Sequence, residues 1–120
     1  MINLSFESEF SYDDSATPLI IRGVALNAGL IPSKQLIIPK EELHNLAKSL
    51  KRGEDGRGAY ILPDHEKKAE KVLGRVYDAW VEDNSRVCFE GTILDETFAK
   101  KIRNGLNSFV SVGLQLEREE

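Results

Sequence analysis

The sequence predicts an α+β domain, a strongly bent antiparallel sheet or small β-barrel of about 6–7 strands with two helices. Three observations predict it. Short β-rich runs recur, separated by glycine, proline and Asn/Asp turn signals. Two stretches of helical period interrupt them, each with its own start and stop signal. Glycines also fall inside the strand-like runs, as a sharply bending sheet requires.

Taken in order, residues 1–17 alternate loosely through Ile2, Leu4 and Phe6 and then turn polar. They are expected to form a flexible N-terminal arm with at most one short strand, leaving 18–120 as a single domain. Residues 19–26 are nearly continuous in apolar side chains, which suits a central strand, and Gly23 within them predicts a bulge or bend. Asn27, Ala28 and Gly29 signal a turn, and residues 35–38 a second short strand.

Pro39 is expected at the first helical position, with Glu41 and Glu42 in the positively polarised first turn. Leu43, Leu46, Ala47 and Leu50 then give one apolar stripe, with His44 beside it and Gly53 as the stop. The glycine-rich loop 53–58 lacks the Gly-Lys-Ser/Thr ending of a phosphate loop. A short strand over 59–62 leads into Pro63, Asp64 and His65. Residues 72–81 alternate, with Val72, Gly74, Val76, Asp78 and Trp80 on one side and Leu73, Arg75, Tyr77, Ala79 and Val81 on the other. A turn over 82–85 returns the chain as a partner strand over 86–94. Asp95 then caps a helix from 96 to about 104, with Phe98 and Ile102 facing inward and Gly105 ending it.

Composition narrows the function classes. A net charge of −4 argues against a nucleic-acid binder, which needs a concentrated basic face. One cysteine, Cys88, excludes an internal disulfide, and the strand around it reads as a buried structural thiol. Two histidines, His44 and His65, give no zinc motif, so no metal or cofactor is expected. The acidic start lacks the basic residues and apolar core of a signal peptide, and no apolar run is long enough to span a membrane. A cytoplasmic location is expected. Trp80 and Tyr77 read as packing residues, and Arg75 as either a group near the site that stabilises charge or, the favoured reading, a solvated strand residue.

The candidate chemistry centres on Ser111. It stands between Val110 and Val112, with Gly113 following, in a run that otherwise reads as a buried strand. An unpaired buried hydroxyl costs roughly 1–3 kcal/mol, so such a serine needs a partner. His65 is the upstream group that could serve. A serine becomes a nucleophile when a base takes its proton, and imidazole titrates near working pH. Gly113 would let backbone or substrate approach closely.

The ordered pieces carry a resemblance. Residues 22–25 (Arg-Gly-Val-Ala) are followed by Asp64-His65, Gly74-Arg75-Val76, Glu90-Gly91, a helix closing in Gly105, and Ser111-Val112-Gly113. From about residue 19 onward the chain resembles the herpesvirus-assemblin-like prohead proteases of tailed phages and related viruses. The resemblance implies an assemblin-like fold and a serine endopeptidase with Ser111 as nucleophile and His65 as general base. It also implies scaffold and major capsid precursor proteins as partners, no nucleic acid or membrane, possible homo-oligomers, and action inside an immature viral shell in the host cytoplasm. The family supplies a third catalytic member well downstream of the serine. Here nine residues follow Ser111, and Asp64 and Asp78 lie elsewhere, so the chain is expected to be a fragment or one domain of a longer protein. The competing expectation is an assemblin-like assembly module without hydrolysis.

Overall fold

The computed structural model describes residues 2–13, 15–31, 36–53, 56–62, 72–105 and 109–116. The strands are β1 (Ile2–Asp13), β2 (Leu19–Asn27), β3 (Gly29–Ile31), β4 (Leu36–Ile38), β5 (Tyr60–Leu62), β6 (Gly74–Glu82), β7 (Arg86–Ile93) and β8 (Phe109–Leu116). The helices are α1 (Leu43–Arg52) and α2 (Glu96–Arg103). Six strands form one antiparallel sheet in the order β1-β2-β7-β6-β5-β8, and β1 pairs with β8 to close it as a barrel. β3 and β4 make a separate two-stranded ribbon. The bent-sheet, two-helix α+β expectation therefore holds.

Side chains alternate across each strand, so one face of the sheet lines the interior. Ile21 of β2, Ile61 of β5, Val76 of β6, Phe89 of β7, and Val110 and Val112 of β8 are wholly buried there. The apolar stripe of α1 joins the same cluster through Leu43, Leu46, Ala47 and Leu50, while His44 is exposed. Pro39 differs slightly from expectation. Its extended backbone makes it the residue before a short 3-10 turn (Lys40–Glu42) that leads into α1. In α2 the carboxylate of Asp95 accepts from the Phe98 N–H at 2.8 Å, Ala99 and Ile102 are buried, and Phe98 packs against the core. That cap satisfies one of the N–H groups a helix start leaves unpaired.

Three expectations are corrected. The predicted arm is instead a twelve-residue strand: β1 pairs with β8 over Ile2–Glu9 and with β2 over Phe10–Asp13. Its even positions are mostly apolar and its odd positions polar, the period of a strand with one face on a core. The bend expected at Gly23 lies just beyond it, since the β2–β7 register shifts between Val24 and Leu26. Gly23 serves close approach instead: a Cβ there would lie 2.4 Å from the Glu9 carbonyl oxygen and 3.2 Å from the Phe89 ring. Finally, the alternation predicted over 72–81 breaks, because the β6–β7 register skips Tyr77. This bulge turns Ala79 and Val81 toward the core side that Val76 occupies and leaves Tyr77 exposed.

The hairpin between β6 and β7 follows prediction. Asp83 and Asn84 both take positive φ (55° and 51°), and the Ser85 N–H donates to the Glu82 carbonyl at 3.1 Å. Short polar side chains tolerate that backbone best after glycine.

Candidate active-site seam and the charged row beside it

Ser111 lies in β8 where that strand is paired on both sides. Glu7 of β1 is its register partner on one side and Leu62 of β5 on the other. Val110 and Val112, which flank it, belong to the core. Leu62 ends β5, and His65 follows three residues later within 63–71, outside the described residues. The side chain of Ser111 also lies outside them. The topology thus brings together the strand that leads to His65 and the strand that carries Ser111.

β5 has little sheet of its own and is held from outside. The Ala59 N–H donates to the Leu50 carbonyl of α1 at 2.8 Å, and the Leu73 N–H to the Ile61 carbonyl at 2.8 Å. Arg75 adds to this hold. Its guanidinium sits 4.6 Å from the centre of the Tyr60 ring, and Nη1 donates to the Gly58 carbonyl at 3.4 Å. Arg75 is therefore half-buried against β5, a correction to the solvated residue expected. A cation over an aromatic face contributes about 0.5–1 kcal/mol at an exposed site.

Asp78 lies away from the Ser111 seam. It pairs with Glu90 across the sheet, and its carboxylate meets the Lys51 ammonium of α1 at 3.3 Å. Registers place Ser11, Arg22, Glu90 and Asp78 in one transverse row. Within that row the Tyr77 hydroxyl donates to one oxygen of Glu90, and Arg22 donates to and ion-pairs with the other. Tyr77 gives its hydrogen bond from the bulge position. The Tyr77 hydrogen bond, and after it Arg22, hold the Glu90 carboxyl below the usual range. Although Tyr77 as a residue is exposed, partial loss of water around its hydroxyl, then the hydrogen bond to that carboxylate, pushes the phenol up to about 12.

Beside this row is a shallow groove of about 360 Å³ lined by Ser11, Tyr12, Asp13, Ile20, Arg22 and Glu90. Asp13 accepts from the Ser15 hydroxyl at 2.6 Å and its N–H at 3.0 Å, which keeps its carboxyl ionised. These groups satisfy one another, so the row ties strands together. Sequence reasoning missed it because the cross-strand registers and the bulge at Tyr77 both had to be known first.

At the hairpin end, the Glu82 carboxylate accepts from Arg86 at 2.7 Å, Trp80 Nε1 at 3.2 Å and the Cys88 thiol at 3.4 Å. Burial, then Glu82, pushes the Cys88 thiol up, so it stays protonated and is a poor nucleophile. Cys88 is buried inside β7, as a structural thiol is. Trp80 is half-buried and bonded to Glu82.

Comparison with known proteins returns no match to a family model, a curated protein or a solved structure. What the described residues define is a class, an α+β chain whose antiparallel sheet curls and closes around one core.

Proposed function

We propose that this chain is the barrel of a serine endopeptidase of the assemblin-like, prohead-maturation kind, with Ser111 as nucleophile and His65 as general base. The observation that carries it is the pairing of Leu62 with Ser111. Three residues span at most about 11 Å when fully extended, so the Leu62–Ser111 pairing sets an upper limit on how far His65 can lie from the β8 register, and that limit supports the reading. Residues nearly fifty positions apart in sequence come under that limit only because β5 and β8 are neighbours. The closed antiparallel sheet with two helices agrees with the fold that the resemblance implies.

In this mechanism the Ser111 hydroxyl attacks the scissile carbonyl while His65 takes its proton. The carbonyl oxygen becomes an oxyanion that backbone N–H donors must meet. His65 returns the proton to the leaving amine, and water, activated the same way, releases the acyl group. Substrates are scaffold and capsid-precursor chains within an immature shell. The test is co-expression with such a scaffold, comparing the native chain with Ser111→Ala and His65→Ala. Each variant is expected to lose cleavage by about 10⁴-fold or more. Cleavage that persists unchanged in Ser111→Ala removes Ser111 as nucleophile.

A further inference from the structure

The shallow groove beside the charged row holds two opposite charges that do not meet. Asp13 and Arg22 both line it. The register opposes Ser11 to Arg22 and Asp13 to Ile20, so all four share one face of the sheet. Asp13 and Arg22 are diagonal neighbours across β1 and β2, a relation that sets residues about 7–8 Å apart. No hydrogen bond or ion pair joins the two side chains.

Each is held through one part of its charged group and keeps another part for a ligand. Asp13 takes both Ser15 hydrogen bonds on Oδ1, so Oδ2 has no donor among the described residues. Arg22 directs Nε and Nη2 to one oxygen of Glu90, which leaves Nη1 without an acceptor among them, on a side chain that is 63% exposed. Ile20, half-buried, adds apolar surface to the groove. The Ser11 hydroxyl donates to the Arg22 carbonyl at 3.4 Å and keeps its lone pairs for a further donor.

We infer that this groove docks an extended segment of a partner protein carrying a basic and an acidic residue two positions apart, the basic side chain on Asp13 and the acidic one on Arg22. Charge and spacing both select that pattern. In an extended chain, residues two apart share a face and lie about 6.6–6.8 Å from one another, close to the Asp13–Arg22 diagonal. Residues three apart point to opposite faces and cannot serve both charges. A lysine or arginine stem lies along Ile20 while its head reaches the carboxylate. The groove is too shallow to enclose a small ligand, which ordinarily buries most of its surface, whereas a peptide docks by one face. None of this depends on the endopeptidase reading.

The experiment titrates the full chain, labelled with nitrogen-15, with blocked peptides built around Lys-Thr-Glu, Lys-Thr-Lys, Glu-Thr-Glu and Lys-Thr-Thr-Glu. The Lys-Thr-Glu peptide is expected to shift the amides of Ser11, Asp13, Ile20 and Arg22. Each of the other three should bind about threefold to fivefold more weakly, the effect of one exposed ion pair. Asp13→Asn keeps Oδ1 for Ser15 and removes the charge, so it should lose the same factor for Lys-Thr-Glu. Asp13→Lys should turn the preference toward Glu-Thr-Glu. Equal affinity for all four peptides, shifts confined to another surface, or no shift at peptide concentrations up to about 5 mM overturns the inference. Thermal unfolding of each variant identifies a folding defect, and the peptide series on native protein decides the matter if a variant does not fold.

Discussion

β7 and β5 both lie inside the barrel sheet, yet they are held in opposite ways. Every residue of β7 is registered on both sides, against β2 and against β6. β5 has three residues and meets β6 and β8 through two pairs each. The outer face near β7 is cross-linked by Arg22, Glu90 and Tyr77 and, one strand over, by Asp78 and Lys51. β5 depends on α1, Leu73 and Arg75 for its anchorage. Long, doubly paired strands make a rigid frame, and the short strand makes a seam in it. The candidate nucleophile Ser111 borders this seam from β8, and the chain that leaves β5 runs on in sequence to His65.

The largest effect should come from breaking the frame. Phe89 is wholly buried in the middle of β7, so Phe89→Ala is expected to cost about 3–5 kcal/mol in chemical denaturation; of the like-sized truncations Ile93→Val on β7 and Ile61→Val on β5, each costing about 0.5–1.5 kcal/mol, the β7 one should cost more. Equal losses would mean that the two strands do not differ in the way described. A smaller difference is expected in native-state hydrogen exchange. Amides of Ile61 and Leu62 should exchange at least about tenfold faster than those of Ile21 and Phe89, because a short strand opens without the rest. Uniform protection around the barrel would remove the seam.

The smallest effect concerns pH, and it is confined to the charged row. The folded Tyr77 phenol is raised from an ordinary value of 10.0 to about 12. Its contribution is therefore complete below pH 10 and lost as pH rises through about 12. The Glu90 carboxyl is lowered, so its contribution is present above the ordinary carboxylate range and lost as pH falls through its folded value. Tyr77→Phe should flatten the alkaline fall in melting temperature, and Glu90→Gln the acid one. An alkaline limb identical in Tyr77→Phe and native protein would show that the phenol is not coupled to folding.

Much of this fold was legible locally. The α1 stripe, the Asp95 cap and the 82–85 turn each follow from a few neighbouring residues, and each appears where expected. β1 was harder to read, because Ser8 interrupts its apolar side and its polar residues resemble those of an arm. What makes it a strand is pairing with β8, at the other end of the chain, and no local pattern encodes that. The bulge at Tyr77 was hidden for a related reason: a register is a property of two strands, and a perfect alternation in one does not reveal a skipped residue. At the candidate site, Ser111 and His65 could be named from residue chemistry and family order. The neighbours of Ser111 could not, since Glu7 and Leu62 reach it only through the closed sheet.

The closure of β1 on β8 also bears on how the chain is made. Ile2 is registered with Leu116, so β1 is synthesised well before the strand it pairs with. At ordinary rates of about 5–20 residues per second, that interval is roughly 5–20 s. Meanwhile β2, β6 and β7 can already assemble their ladders, but β1 carries an apolar side that has only β2 to rest on. Exposed strands of that kind recruit other chains, and charges along them discourage it. Glu7 and Glu9 stand on that strand's β8-pairing stretch. Before the barrel closes, the acidic residues on β1 would serve as guards for a nascent edge.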